Sequence, residues 1–566
     1  MNNKLYNLRL LKRAVLPILA SALILGACKK AILQLNNPDS PTPGSSLVTE
    51  GGIDAFAQGI FYKWIATELT DGNLNFFDIA WYMESNMGDE DFTPYSNYGS
   101  RYPMNIASIT LPAPYGTVVP NPSGFATQLD ILRSFNTRAA GDGNSIQYEW
   151  DCFYYVNAQA NILLKSLENP ALTLSGDAAT KKKLLQAWAY FWKGYAYSKI
   201  GSTYLAGVVD DSPDSTALGL TSSTYVTHDA MITAANNNFE TAASIFGSIT
   251  ENVDYDNTFK AIIPSFNLPG NILTPANWVR QIKSFEARNY LANHKVAAMT
   301  GTDWTAIMNL ASAGMTQSDF TLQWGSAGAG IPDLTKFGYD FHPMVLHTAA
   351  GGQLSFISER LIQDIMPGDQ RFTKYFEPFP TGIVVNVLNR GIQFGTRYAA
   401  LDIEKGGKYA TETWAPSATV PIAPAWEENA LMMAEANIYL GNVDAGLQLI
   451  DQVRASQGAG LPTLAGSGIT ADSALVHLHS ERRIGLYLHN VSWYDARRWG
   501  ITTPVAQGGG RYGNIVVPGS LLGSNPTPPP AVLSCLIDYS FSDYWDVPQN
   551  ELDYNPANAN SAPVKN

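Results

Sequence analysis

The sequence predicts a mainly α protein in which helical hairpins pack against a large irregular, loop-rich region with minor β structure. Three observations predict it. Several segments repeat apolar residues at helical spacing. Two of these segments are separated only by a short turn, as in a helix hairpin. Three long stretches between helices are dense in Gly, Pro, Asn and aromatics and carry weak helical patterning.

Taken in chain order, the first clear helix lies near 146–168, where Ile146, Trp150, Phe153, Ala160, Leu164 and Leu167 recur on one face. A second, near 178–200, carries Leu184, Trp188, Phe191 and Tyr195. Leu185, Ala189, Trp192 and Ala196 widen its stripe, so this helix is expected to be deeply buried. Further helices are predicted near 228–247 and 276–299. In the C-terminal third, Trp426, Ala430, Met433, Asn437 and Leu440 share a face of a helix stopped by Gly441. Leu447 and Ile450 belong to a partner beginning near Val443, and the pair resembles one tetratricopeptide-like unit. A last strong helix runs from about Asp472 to Leu488. The stretches 71–145, 301–424 and 501–566 read as insertions, because loops this long in a compact protein are usually functional or irregularly folded.

Residues 1–27 read as a lipoprotein signal peptide. Lys4, Arg9, Lys12 and Arg13 form a basic region, and Ala14 to Leu25 is an apolar core too short to span a bilayer. Leu25-Gly26-Ala27-Cys28 resembles a bacterial lipobox, which implies cleavage before Cys28 and its lipidation. Each buried methylene of an acyl chain contributes roughly 0.8 kcal/mol, so several chains hold firmly. The competing reading is a soluble exported protein with a cysteine there by chance. Residues 28–46 form a tether, with Asn36 to Ser46 reading NNPDSPTPGSS, and 47–566 a single body. No apolar run reaches the roughly 18 residues of a transmembrane helix. The net charge of −13 over 566 residues argues against nucleic acid and against direct binding to an anionic membrane surface. Cys152 and Cys535 remain; Cys152, in an aromatic helical stretch, reads as a buried free thiol, with pairing of the two left open.

The aromatics are more pointed. With 28 Tyr and 13 Trp but only 15% charged residues, the chain suits uncharged, hydroxyl-rich ligands, since a sugar ring lays its C–H face on an aromatic ring. Two clusters are candidate ligand-binding platforms. One holds Trp81, Tyr95, Tyr98 and Tyr102 with Arg101 and Asp91; the other holds Trp304, Trp324 and Tyr339. For each ring, burial in the core is the competing reading, and Trp81 leans towards it because it follows an apolar run. Asp89-Glu90-Asp91 offers hard oxygen ligands but lacks calcium-loop spacing, and reads as a solvated turn. No metal or cofactor is expected, and no H-E-x-x-H, G-x-S-x-G or P-loop motif occurs.

Two C-terminal segments carry a family resemblance. Glu481 to Gly500, ERRIGLYLHNVSWYDARRWG, is similar to the E-R-R…W-x-D-x-R-R-W-G signature of the SusD/RagB family; Trp545 to Asn555, WDVPQNELDYN, resembles its closing element through Pro548, Glu551 and Asn555. The hairpin Ala434 to Arg454 and the segment Ala187 to Tyr204 also look like family units. The resemblance implies a Bacteroidetes-type outer-membrane lipoprotein with four tetratricopeptide-like units. It implies a lid on a SusC-like TonB-dependent transporter, binding glycan outside the cell and helping to deliver it inward without catalysis. The alternatives are a helical-repeat lipoprotein handling peptide or protein ligands, and a surface glycoside hydrolase.

Within the signature, Glu481, Arg482, Arg483, Trp493, Asp495, Arg497, Arg498 and Trp499 read as structural, because an Arg fork pairs well with buried carboxylates. Lys29 and Lys30 stand where surface-exported lipoproteins of these bacteria often carry acidic residues. Protease shaving of intact cells tests the leaflet: loss of the chain from unbroken cells is the outcome expected of an outward-facing anchor.

Overall fold

The computed structural model describes residues 46–66, 76–92, 99, 101–121, 123–211, 224–263, 271–325, 356–379, 384–385, 394–401, 407–408 and 419–566. Cys28 and the tether up to residue 45 lie outside them. The architecture is mainly α with short strands. The principal helices are α1 (Glu50–Ala66), α2 (Phe76–Met87), α3 (Gln128–Phe135), α4 (Gln147–Leu167), α5 (Ala178–Thr203), α6 (His228–Gly247), α7 (Val253–Ile262), α8 (Pro275–Ala292), α9 (Gly301–Ser312), α10 (Trp426–Tyr439), α11 (Val443–Ser456), α12 (Ala471–Gly485) and α13 (Ser492–Arg498). Neighbouring helices pack in succession, α4 on α5, α5 on α6, α6 on α8, α9 on α10, α10 on α11.

Local chemistry sets the helix ends. Asp177, Thr227, Thr274 and Thr470 each cap a helix by accepting a backbone N–H, and Pro275 sits at the first turn of α8, where its missing N–H costs nothing. Burial then selects the partners. In α5, Trp188, Phe191 and Trp192 are at most 1% exposed. Phe191 meets Trp278 of α8 edge-on at 5.0 Å, and Phe246 of α6 stacks on Trp278 at 5.1 Å, the offset and edge geometries that ring quadrupoles favour. Gly194 permits this approach: a Cβ there would lie 2.6 Å from the Phe239 ring. Trp188 also donates its indole N–H to the Ala57 carbonyl at 2.8 Å, tying α1 to α5.

The structure differs from the sequence reading in three places. The 71–145 and 301–424 stretches hold α2, α3 and α9, short helices whose apolar spacing is masked by polar and aromatic neighbours. The 501–566 stretch holds a hairpin, Arg511–Val517 with Ala531–Asp538, inside a six-stranded sheet that continues through Ser108–Thr110 and Val118–Pro120 on one side and Gly395–Thr396 and Val384–Val385 on the other. In α10, Met433, Asn437 and Leu440 are only half-buried. The innermost positions are Glu428, Leu431, Met432, Ala434, Glu435 and Ala436, because the helix is enclosed by α9, α11 and α12. Cys152 and Cys535 are both buried and free.

The C-terminal segment returns to the first helices. Trp545 donates its backbone N–H to the Thr203 carbonyl at 2.8 Å, the Leu205 backbone N–H donates to the Trp545 carbonyl at 2.9 Å, and Asp546 pairs with Arg133 of α3 at 2.7 Å.

The signature segment joins α10, α12 and α13 by buried ionic pairs. Arg482 donates to Asp495 at 2.7 Å and Arg498 to the other Asp495 oxygen at 2.8 Å. Arg498 also forks onto Glu435 with two bonds of 2.6 Å. Arg498→Met leaves both carboxylates buried without that partner. The expected cost is about 3–5 kcal/mol, seen as a lower denaturation midpoint with an unchanged slope.

Candidate functional site

Of the first predicted platform, Trp81, Asp91 and Tyr102 lie inside the protein. Trp81 on α2 is 2% exposed, Asp91 2%, and Tyr102, stacked on Phe135 at 4.1 Å, 8%. Trp304 is 3% exposed and stacks on Tyr439 of α10 at 4.2 Å. Rings so enclosed have no free face for a ligand. The cause is local: residues 76–87 form a helix packed against α4 and α13, which turns this segment inward. Arg101 is half-buried over the Tyr102 ring. Tyr95, Tyr98 and Tyr339 lie outside the described residues. The backbone of Trp324 belongs to the strand Gln323–Gly325, paired with Thr419–Pro421.

Asp89-Glu90-Asp91, expected as a solvated turn, is buried throughout. Asp89 accepts from Arg360 at 2.5 and 2.8 Å, from Ser358 at 2.8 Å and from the Tyr539 hydroxyl at 2.9 Å. Although burial opposes its charge, Arg360 and Arg511 hold its carboxyl well below the usual range. The next two carboxyls go the other way. Burial first, then the Asp91 charge, pushes Glu90 up to about 8, and burial pushes Asp91 up to about 7. Ser85 lies against both, 3.1 Å from Glu90 and 2.5 Å from Asp91.

A separate cleft has a volume of about 380 Å³. Its aromatic lining is Phe320, 47% exposed, the half-buried Trp426 at the start of α10, and, deeper, the buried Tyr375. Gln323, Gln457, Glu427, Lys408 and His489 supply polar groups. Lys408 donates to the carbonyls of Gly485 and Tyr487 at 3.0 and 3.1 Å and lies 5.0 Å from the Tyr375 ring centre. Burial, reinforced by Arg371, lowers its pKa to about 7, while burial raises that of Glu427. Gln457 bridges, donating to Gly485 at 2.9 Å and accepting from Arg371 at 2.9 Å. The arrangement combines ring faces with amide, carboxyl and amino groups, the two kinds of contact that hydroxylated rings require.

Sequence reading missed this cleft because its walls come from six separate segments. Trp426 was assigned to a core face, and Phe320 lay in a stretch without periodicity. The one available signal was the density of aromatics in 301–424.

The charged signature residues are buried and paired, and Glu481 reaches the cleft's Gln457 through Arg371. Glu481 accepts from both Arg371 amines, at 2.5 and 2.9 Å, and from Arg454 at 3.1 Å. Arg483 donates to the carbonyls of Gly88 and Asp89 at 2.7 and 2.8 Å. Arg497 donates to the carbonyls of Ser202, Asp543 and Ala292 and lies 5.0 Å from the Trp493 ring centre. Trp499 donates to Glu435 at 3.2 Å. Among the described residues no cluster of His, Cys, Asp and Glu is arranged to hold a metal ion, and no helix is long and apolar enough to cross a membrane.

This is a helical-hairpin protein with a loop-framed aromatic cleft. Residues 428–562 match the model of the SusD family. The fold of the whole body is SusD-like. A SusD-like carbohydrate-binding protein from Bacteroides fragilis shares 14% identity at a TM-score of 0.57, over 90% of this chain and 99% of its own. A SusD-superfamily protein from Bacteroides thetaiotaomicron shares 14% identity at a TM-score of 0.56, over 91% and 99%. A structure described with xylogluco-oligosaccharide shares 14% identity at a TM-score of 0.55, over 91% and 99%. No curated protein matches the chain.

The buried carboxyls give a pH test. A group raised in the folded state contributes stability that is full below its ordinary pKa and is lost as pH climbs through the raised value. For Glu90 that window runs from 4.5 to about 8, for Asp91 from 3.8 to about 7. Asp89 has the opposite sign, its contribution being lost as pH falls below 3.8. Glu90→Gln removes one ionisation, so its melting temperature is expected to fall less between pH 5 and pH 8 than that of the wild type.

Proposed function

We propose that the chain is a cell-surface, lipid-anchored glycan-binding protein that captures an oligosaccharide in the cleft bounded by Phe320, Trp426 and Tyr375 and passes it to a TonB-dependent transporter. The cleft carries the reading: it has the size of a short oligosaccharide, the exposed ring of Phe320 and the half-buried ring of Trp426, and polar groups able to bind hydroxyls. Several relatives in fold are SusD-like carbohydrate-binding proteins, one structure being described with a xylogluco-oligosaccharide, and this supports the same class of ligand here. The lipobox at Cys28 supports anchoring, and the SusD match over residues 428–562 supports a transporter as partner.

The platform residues proposed from sequence, Tyr95, Tyr98, Trp324 and Tyr339, remain candidates for extending this surface. Binding without turnover is the proposed mode. Stacking contacts are worth about 1 kcal/mol each beyond buried area, so several together, with hydrogen bonds, give useful affinity without any reacting group.

Isothermal titration against oligosaccharides of glucose, xylose and galacturonate tests this. At least one is expected to bind with no release of reducing ends, and Trp426→Ala is expected to weaken it about tenfold or more. New reducing ends, or a full panel without heat, would sink the reading.

A further inference from the structure

His489 faces two spaces at once. It lines the open cleft beside Lys408 and Glu427, and it also lines a second cavity of about 20 Å³. Its walls are mixed: Trp81, Phe285 and Ile422 are apolar, while Ser198, Asn289 and Asn490 bring polar groups to it. Its volume suffices for about one water molecule, and its walls are polar enough to hold one. His489 is 5% exposed and Asn490 9%, yet neither His489 Nδ1 nor Asn490 Oδ1 has a hydrogen-bond partner among the described residues. An unmet buried polar atom costs about 1–3 kcal/mol, so two on adjacent residues at one cavity call for a partner.

The backbone fixes this ring in place. Leu488 at φ +62° and Asn490 at φ +59° flank it, both in the left-handed region that a branched side chain such as leucine rarely adopts. Such strain persists only where surrounding structure over-determines it, and it gathers at ligand sites. The His489 amide donates to the Leu486 carbonyl at 2.9 Å, closing the turn that follows α12.

We propose that His489 is a specificity-determining residue of the cleft, its imidazole hydrogen-bonding one hydroxyl of the bound sugar while water in the second cavity holds Nδ1 and the Asn490 amide oxygen. The proposal rests on the cleft being the glycan site. The charged groups around the ring favour its neutral form. Burial acts first, and Lys408 from the cleft side, Arg288 of α8 and Arg482 of α12 add positive charge. Arg288 and Arg482 are themselves paired, with Glu428 and Asp495. Glu427 in the cleft and Lys199 and Tyr494 in the cavity complete the titratable surroundings. A neutral imidazole has one donor and one acceptor nitrogen. The nitrogen held from the cavity therefore decides what the other offers the sugar.

The test uses the full chain with xyloglucan heptasaccharide, cellohexaose and maltohexaose, following heat of binding and the ¹⁵N signals of labelled histidine side chains. His489→Phe keeps a ring and removes both nitrogens; it is expected to weaken the bound sugar about tenfold, one hydrogen bond's worth. The wild-type His489 imidazole signals are expected to shift on adding that sugar and to stay those of a neutral ring from pH 6 to pH 8. Binding by a folded His489→Phe protein at wild-type strength, in a cleft that Trp426→Ala still disables, overturns this proposal and leaves the glycan site standing. If the Phe variant does not fold, wild-type His489 signals unmoved by a bound sugar overturn it instead. Silence from all three sugars and from the wider panel overturns both readings together.

Discussion

The interaction on which the rest depends is the chain of buried ion pairs that runs Arg482–Asp495–Arg498–Glu435. A charge removed from water is tolerated only with a well-placed partner, and each of these four has one within 2.8 Å. The chain therefore fixes three helices, α10, α12 and α13, in one relative arrangement. That arrangement places Trp426 and Glu427, at the head of α10, beside the turn Leu486–Val491 that follows α12. Arg371, Arg454 and Glu481 extend the same ionic layer sideways and hold Gln457 at the cleft edge. The cleft is thus framed by residues that cannot shift singly without stranding a charge.

Much of the helical scaffold was legible because it obeys one period. The helices near 146–168, 178–200, 228–247 and 426–456 announce themselves through apolar stripes, and their observed limits lie close to those expected. α2 was not legible. Its sequence, FFDIAWYMESNM, carries aromatics and acids that suggest an exposed sugar-binding loop equally well. Only the residues it meets, more than a hundred positions away in sequence, decide the matter: Lys199 and Tyr494 take up Glu84. Pairing across such separations leaves no local pattern. The cleft was hidden for the same reason, being assembled from segments that share no motif.

The triplet Asp89-Glu90-Asp91 shows how sharply environment divides identical chemistry. One carboxyl faces guanidinium groups and stays ionised. Its neighbours face a serine and one another, and hold protons towards neutrality. A surface turn and a buried ionic hub can share the same three letters.

The return of the C-terminal segment to α3 and α5 has a consequence for how the molecule is made. Trp545 bonds to Thr203 and Leu205, and Asp546 to Arg133, so the first helices lack part of their lining until almost the whole chain is available. Contacts of such long range are closed late and slowly. The N-terminal helices cannot finish as an independent unit while the rest is still being synthesised.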